Sequence, residues 1–313
     1  MQDLKAAKPD QTVLGICIIL ASVLTMAFAD AVVKLVSADL TVWQVFVARS
    51  VFAIPCLIAV LLAMGTGFRL VSPKWALIRS ALLVLTWLFF YASLPVLTLS
   101  VAAVAVYTNP IITALLSAVL IGERVSGRQW AGVLLGFLGV IAILKPGTDA
   151  FSWFTVLPLM AAGCYSLAMV LTRGKCQDEQ PLVLGLALHC LFLATGLIAV
   201  GVLAVIGLDA DTVAAFPFLF NGWTAMGARE WGLMALLGVL SAAYFVGVAR
   251  AYQIAPPSII GTFDYVYLVS AAVWGFIFFA ETPDIFTICG MVLITAAGLL
   301  VAVRPANRAT AID

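Results

Sequence analysis

Four ionisable side chains interrupt long apolar stretches of this chain: Asp30 and Lys34 in the first, Arg49 in the next, and Asp264 far downstream. A charge held at mid-helix in a bilayer costs roughly 2.5–3.5 kcal/mol on insertion scales, so each needs a reason to be there. Asp30 precedes Lys34 by four residues, which puts both on one helix face within pairing reach. Asp30 and Arg49 lie about nine to ten residues either side of Asp39-Leu40, so a tight antiparallel hairpin sets them at matching depth. Such a cluster is either a latch or carboxylate-binding site, or a structural ion-pair network that fixes the hairpin. Asp264 has no charged partner in its own stretch, and Tyr267 shares its face at i+3. It can bind a substrate amine or a coupling proton, or accept a hydrogen bond from a tyrosine. His189 is the only histidine and sits in an apolar run, where a packing role is the ordinary one.

Uncharged residues add two signals. In Tyr107-Thr108-Asn109-Pro110, the proline removes a backbone hydrogen bond and frees the carbonyl of Val106. At membrane depth such a break is tolerated where it is buried in protein or lines a cavity, which Tyr107 and Asn109 would then face. Aromatic residues gather around Trp87 and Tyr91, and again around Tyr265 and Tyr267, as expected of a cavity that stacks a planar ring. Gly132-x-x-x-Gly136 and Gly290 permit close helix packing, more naturally within one chain than between two.

The elements that must position these residues follow from composition. Of 313 residues, 64% are hydrophobic and 10% charged, whereas soluble domains carry about 25% charge. The apolar runs are continuous rather than alternating, which selects helices over barrel strands. The fold class expected is all-α integral membrane with ten transmembrane helices: 13–36, 42–64, 75–94, 99–121, 129–144, 151–172, 182–206, 231–252, 258–280 and 285–303. The polar start, Met1 to Gln11, leads into an apolar run too long for a signal-peptide core, so that run is read as the first span. With the N-terminus inside, twelve of the sixteen basic residues, Arg79 among them, fall in cytoplasmic segments, and three (Lys34, Lys145 and Arg229) lie at the outer face. Both termini are therefore expected in the cytoplasm, and the longest loop, Gly207 to Arg229, outside. A net charge of +1 points to no nucleic acid. The six cysteines form no CxxC and read as small apolar residues. No phosphate loop, metal-ligand set or nucleophile elbow is found, so neither a cofactor nor catalysis is expected.

A shift of 158 superposes Tyr107 on Tyr265, Glu123 on Glu281 and Gly132 on Gly290; a shift of 140 places Arg49 on His189. These matches are collinear across two five-helix halves, 11–146 and 150–305, flanked by tails 1–10 and 306–313. An odd number of helices per half forces opposite orientations, an inverted repeat of the kind secondary transporters use.

The residues that carry this order also carry a likeness. Ala29-Asp30-Ala31-Val32-Val33-Lys34 with Arg49-Ser50, the stretch from Ala92 through Pro110 to Gly122-Glu123-Arg124, and its counterpart ending Phe279-Ala280-Glu281 resemble the drug/metabolite transporter superfamily, with two EamA-type repeats. The second half departs from the pattern at Leu268, where relatives often carry proline, and in reading Phe-Ala-Glu-Thr for the signature. The resemblance implies a multi-pass inner-membrane protein, monomeric or weakly dimeric. It implies a secondary-active carrier of a small organic metabolite by alternating access, coupled to a proton or an exchanged substrate. The Asp30–Lys34 motif resembles a branch linked to S-adenosylmethionine or riboflavin uptake; export of aromatic amino acids or drug-like metabolites is the alternative, with a channel or a membrane-embedded enzyme more remote. The substrate-binding set expected is Asp30, Lys34, Arg49, Trp87, Tyr91, Tyr107, Asn109, Asp264, Tyr265 and Tyr267.

Overall fold

The computed structural model describes residues 11–36, 40–65, 67–93, 105–144, 154, 156–279 and 285–302, and among these every regular element is a helix. Among the described residues, six helices are long and apolar enough to cross a membrane. They are α1 (Thr12–Val36), α2 (Val42–Ala63), α3 (Pro73–Ser93), α6 (Val156–Lys175), α7 (Pro181–Ile206) and α10 (Ala228–Ile254). Shorter apolar helices are α4 (Asn109–Leu120), α5 (Gly127–Leu144) and α13 (Ile285–Ala302). Two turns of helix, α8 (Ala210–Ala215) and α9 (Pro217–Phe220), stand in the loop before α10.

Local chemistry sets several of the ends. Thr41 caps α2: its hydroxyl accepts from the Gln44 amide at 3.3 Å while the Gln44 side chain accepts from the Thr41 amide at 3.2 Å. Gln44 donates onward to the Thr224 carbonyl (2.8 Å) and Trp43 to the Leu219 carbonyl (2.7 Å), which ties the α8–α9 loop to this end of the bundle. Pro181 starts α7, and Gly207 ends it in the left-handed region at φ +59°.

The stretch Ser258–Ala280, expected as one span, is interrupted. It forms α11 (Pro257–Asp264) and α12 (Val266–Phe279), with a turn at Tyr265. No proline causes this. The Leu268 amide bonds the Tyr265 carbonyl three residues back, the Tyr265 hydroxyl donates to the Val133 carbonyl at 3.3 Å, and its ring fills the space a side chain on Gly136 would take. The side chain is thus wedged into α5, and the main chain turns around it. The break falls where the 158-residue shift puts it, since Tyr107 also sits in a turn, just ahead of α4 and Pro110.

Helices pair in a reciprocal pattern. α1 packs on α10, and α3 on α6; α2 packs on α7, and α5 on α13. α1 also lies along α11 and α12, as α6 lies along α4. The α5–α13 seam is glycine-lined: a Cβ on Gly139 would lie 2.8 Å from the Gly290 carbonyl, and one on Gly132 would strike Val301. The close glycine packing is therefore within the chain.

One end of the bundle is closed by a polar plate. Glu179 accepts from the Ser72 amide, Glu123 accepts from the Ser258 hydroxyl, and Gln129 donates to the same Ser258 oxygen at 3.2 Å. Gln253 donates to the carbonyls of Cys176 (2.6 Å) and Glu179 (2.8 Å), and its own carbonyl accepts from Arg173 at 2.6 Å. Burial raises the Glu123 carboxyl above its ordinary range, and pushes the Cys176 thiol up to about 11. Glu281, expected to match Glu123, lies outside the described residues.

Candidate functional site

The breaks at Tyr107 and Tyr265 lie between α1 and α6, where α11 packs against α4. Helix interruptions expose backbone polar groups, so polar side chains collect there. Asp264 is the last residue of α11 and is 5% exposed. Its Oδ2 accepts from Tyr252 at 2.7 Å and from Tyr165 at 3.2 Å, while Oδ1 is buried with no partner among the described residues. Tyr267, expected to share a face with Asp264, is turned away by the break at Tyr265. It crosses to α1 instead, donating to Asp30 Oδ2 at 2.6 Å. Its ring lies against Tyr107, centroids 5.6 Å apart and planes 30° from parallel. The two tyrosines form an aromatic wall flanked by two carboxylates.

Arg49 is 3% exposed, with its guanidinium carbon 4.4 Å from the Phe192 ring centre and 5.1 Å from that of Phe46. It acts electrostatically on Asp30 but makes no direct ion pair with it among the described residues, so the expected hairpin salt bridge gives way to cation–π packing. Nε and one terminal nitrogen of Arg49 find no partner there. His189, the residue a 140-residue shift places opposite Arg49, is fully buried between Phe192 and Phe245, 3.5 Å from the Ser241 hydroxyl. That is the packing role expected of it.

Asn109 begins α4 buried; its carbonyl accepts from Ser166 at 2.9 Å and its side-chain oxygen is unpartnered among the described residues. Tyr265 faces α5 rather than the carboxylates, as its bond to Val133 requires. Trp87 lies half-buried on α3 against the main core, edge-on to Phe90 at 6.5 Å. The side chains of Lys34 and Tyr91 lie outside the described ones.

Sequence reasoning missed Tyr165 and Tyr252, which hold Asp264, and misplaced Arg79. Assigned to a cytoplasmic segment, Arg79 is instead inside α3 and 1% exposed. Its lying within the expected span 75–94 was the available signal. No group of three or more metal-ligating side chains occurs among the described residues.

Comparison with known proteins agrees with this architecture. Residues 13–145 match the EamA-like transporter family. The pseudopaline exporter CntI of Pseudomonas aeruginosa is 25% identical over 285 residues, covering 90% of this chain and 94% of the exporter. The S-adenosylmethionine uptake transporter of Rickettsia prowazekii is 22% identical, covering 92% of each chain. The riboflavin transporter of Rhizobium johnstonii is 27% identical over 224 residues, 72% of this chain and 67% of that one. A solved crystal structure superposes with a TM-score of 0.72 at 20% identity, covering 93% of this chain and 97% of the other, a likeness of fold. The match over residues 13–145, the long apolar helices and these transporter relatives together make the chain a multi-pass inner-membrane protein similar to EamA-like transporters of the drug/metabolite type.

Proposed function

We propose that this chain is a secondary-active carrier of a small organic metabolite with a planar ring, of the riboflavin or S-adenosylmethionine type, working by alternating access. The observation that carries the reading is the Tyr107–Tyr267 wall beside Asp30 and Asp264, placed at two helix breaks. Stacked tyrosines suit an aromatic face, and a carboxylate with an uncommitted oxygen, as on Asp264, suits an amine or a coupling proton. The S-adenosylmethionine and riboflavin transporters among its relatives support that class. The pseudopaline exporter among them keeps export, including export of aromatic amino acids or drug-like metabolites, as the second reading.

The reciprocal helix pairing supports two five-helix halves, 11–146 and 150–305. Exchanging the halves turns α1-on-α10 into α6-on-α3, and leaves α2-on-α7 and α5-on-α13 as they are. Rocking one half on the other along the α5–α13 seam would open the site to each side in turn. The polar plate is assigned to the cytoplasm because the basic residues gather at that end; moving Arg79 into the membrane leaves eleven against three.

The test is uptake into proteoliposomes of riboflavin, S-adenosylmethionine and tryptophan side by side, with wild type beside Asp264→Asn and Arg49→Gln. The expected outcome is saturable, protein-dependent uptake of one compound, stimulated by unlabelled substrate on the far side and reduced at least tenfold in Asp264→Asn. Uptake of none of them, with or without a proton gradient, would overturn the planar-ring reading.

A further inference from the structure

Arg79 is a buried charge that makes no ion pair among the described residues. Nε donates to the Thr172 hydroxyl at 2.6 Å, and that hydroxyl donates in turn to the Ala168 carbonyl at 2.7 Å. Thr172 therefore fixes the plane of the guanidinium. Both terminal nitrogens are buried and bond to nothing among the described residues. A guanidinium has five N–H donors in a planar fork, so four remain uncommitted here. Tyr165 lies two turns before Thr172 on the same face of α6, within electrostatic range of both Arg79 and Asp264. The neighbouring acids each bond through one oxygen, Asp264 Oδ2 to two tyrosines and Glu179 Oε1 to Ser72, and neither pairs with Arg79 among the described residues.

Burying an unpaired cation costs stability, and a structural arginine would spend its fork on carbonyls or a carboxylate. Here the fork is oriented by Thr172 and unspent among the described residues. Resting on the reading of this chain as a carrier, we propose that Arg79, oriented by Thr172, is an anion subsite that takes the carboxylate of the transported solute through both terminal nitrogens. A single positive charge with a planar fork matches a carboxylate, whereas a phosphate dianion would call for a second cation. Asp264, reached past Tyr165, marks the opposite pole, so the solute that fits carries its carboxylate toward the polar plate and its ring toward Tyr107 and Tyr267.

The test is thermal unfolding of the purified full chain in lipid nanodiscs. Three probes are compared at equal ionic strength: indole-3-propionate (ring and carboxylate), tryptamine (ring and ammonium) and sodium phosphate. Indole-3-propionate is expected to raise the unfolding temperature of wild type. Its half-saturating concentration should rise by about tenfold or more in Arg79→Gln, and by a smaller factor in Thr172→Val, which keeps the charge and frees its plane. Tryptamine should bind wild type and Arg79→Gln alike. Ligand-free Arg79→Met should unfold no lower than wild type, because it removes an unpaired buried charge. The proposal is overturned if indole-3-propionate binds wild type and Arg79→Gln equally, or fails to bind wild type, or if phosphate protects as well as it does. A large drop in the stability of Arg79→Met or Arg79→Gln would likewise overturn it, making the guanidinium structural. Tryptamine binding without indole-3-propionate binding would remove the anion subsite and leave the planar-ring reading standing.

Discussion

At the scale of single residues, the tyrosine hydroxyls decide how the two carboxylates are held. Tyr267 gives Asp30 a short bond, and Tyr252 and Tyr165 share one oxygen of Asp264. Tyr267→Phe keeps the ring against Tyr107 and deletes the donor. We expect a stability loss of about 1–3 kcal/mol, read as a lower unfolding temperature, with Asp30→Asn/Tyr267→Phe no worse than either single change. Additive losses in the pair would show that the two groups act separately. The sequence made Asp30, Arg49 and Asp264 visible because charge in an apolar run is costly. It hid Tyr165 and Tyr252 because a tyrosine in such a run carries no comparable signal; only its partner makes it functional. Arg79 was hidden for another reason: hydropathy places a helix end only to within a few residues, and Arg79 lies close to one.

At the scale of elements, close approach is the controlling fact. Gly139→Ala would bring a methyl to 2.8 Å from the Gly290 carbonyl, a backbone atom that cannot rotate away. The expected cost is about 1–3 kcal/mol. Gly201→Ala, on α7 with nothing within 4 Å of the new methyl, should hold or raise stability by up to about 1 kcal/mol. Parallel unfolding curves of the two variants check this; equal effects would mean the seam yields. Six long helices and the glycine seam were legible from apolar runs and spacing. The break at Tyr265 was not, because no proline marks it. It comes from a side chain wedged into a helix more than a hundred residues away, information that a local window does not hold.

At the scale of the whole molecule, the polar plate must open if the halves rock. Cys176 reports on it: it is fully buried, its carbonyl is held by Gln253, and its thiol is pushed up to about 11 by burial. At neutral pH the thiol is protonated and shielded, so maleimide should label it slowly. Ser258→Ala, which removes the hydroxyl shared by Glu123 and Gln129, should speed labelling several-fold, measured by mass spectrometry of the Cys176 peptide. An unchanged rate would mean that the plate does not gate this face. The folded chain holds the thiol proton more tightly than the unfolded chain does. The associated stability is therefore present below the ordinary thiol value near 9 and lost as pH rises from there toward 11. Cys176→Ser should flatten that alkaline decline.

The reciprocal pairing of helices has a consequence for how the protein is made. Asp30 meets Tyr267 across 237 residues of chain, and Arg79 meets Thr172 across 93. At about 5–20 residues per second, the ribosome needs roughly 12–50 seconds to deliver the partner of Asp30. For that interval the acid of α1 waits in the lipid unmet, since α10 and α12 come late, whereas the arginines of α2 and α3 wait only until α7 and α6 are made. Newborn chains arrested before α10 should therefore be the preferred prey of membrane proteases and insertion chaperones, while chains released after α12 escape them.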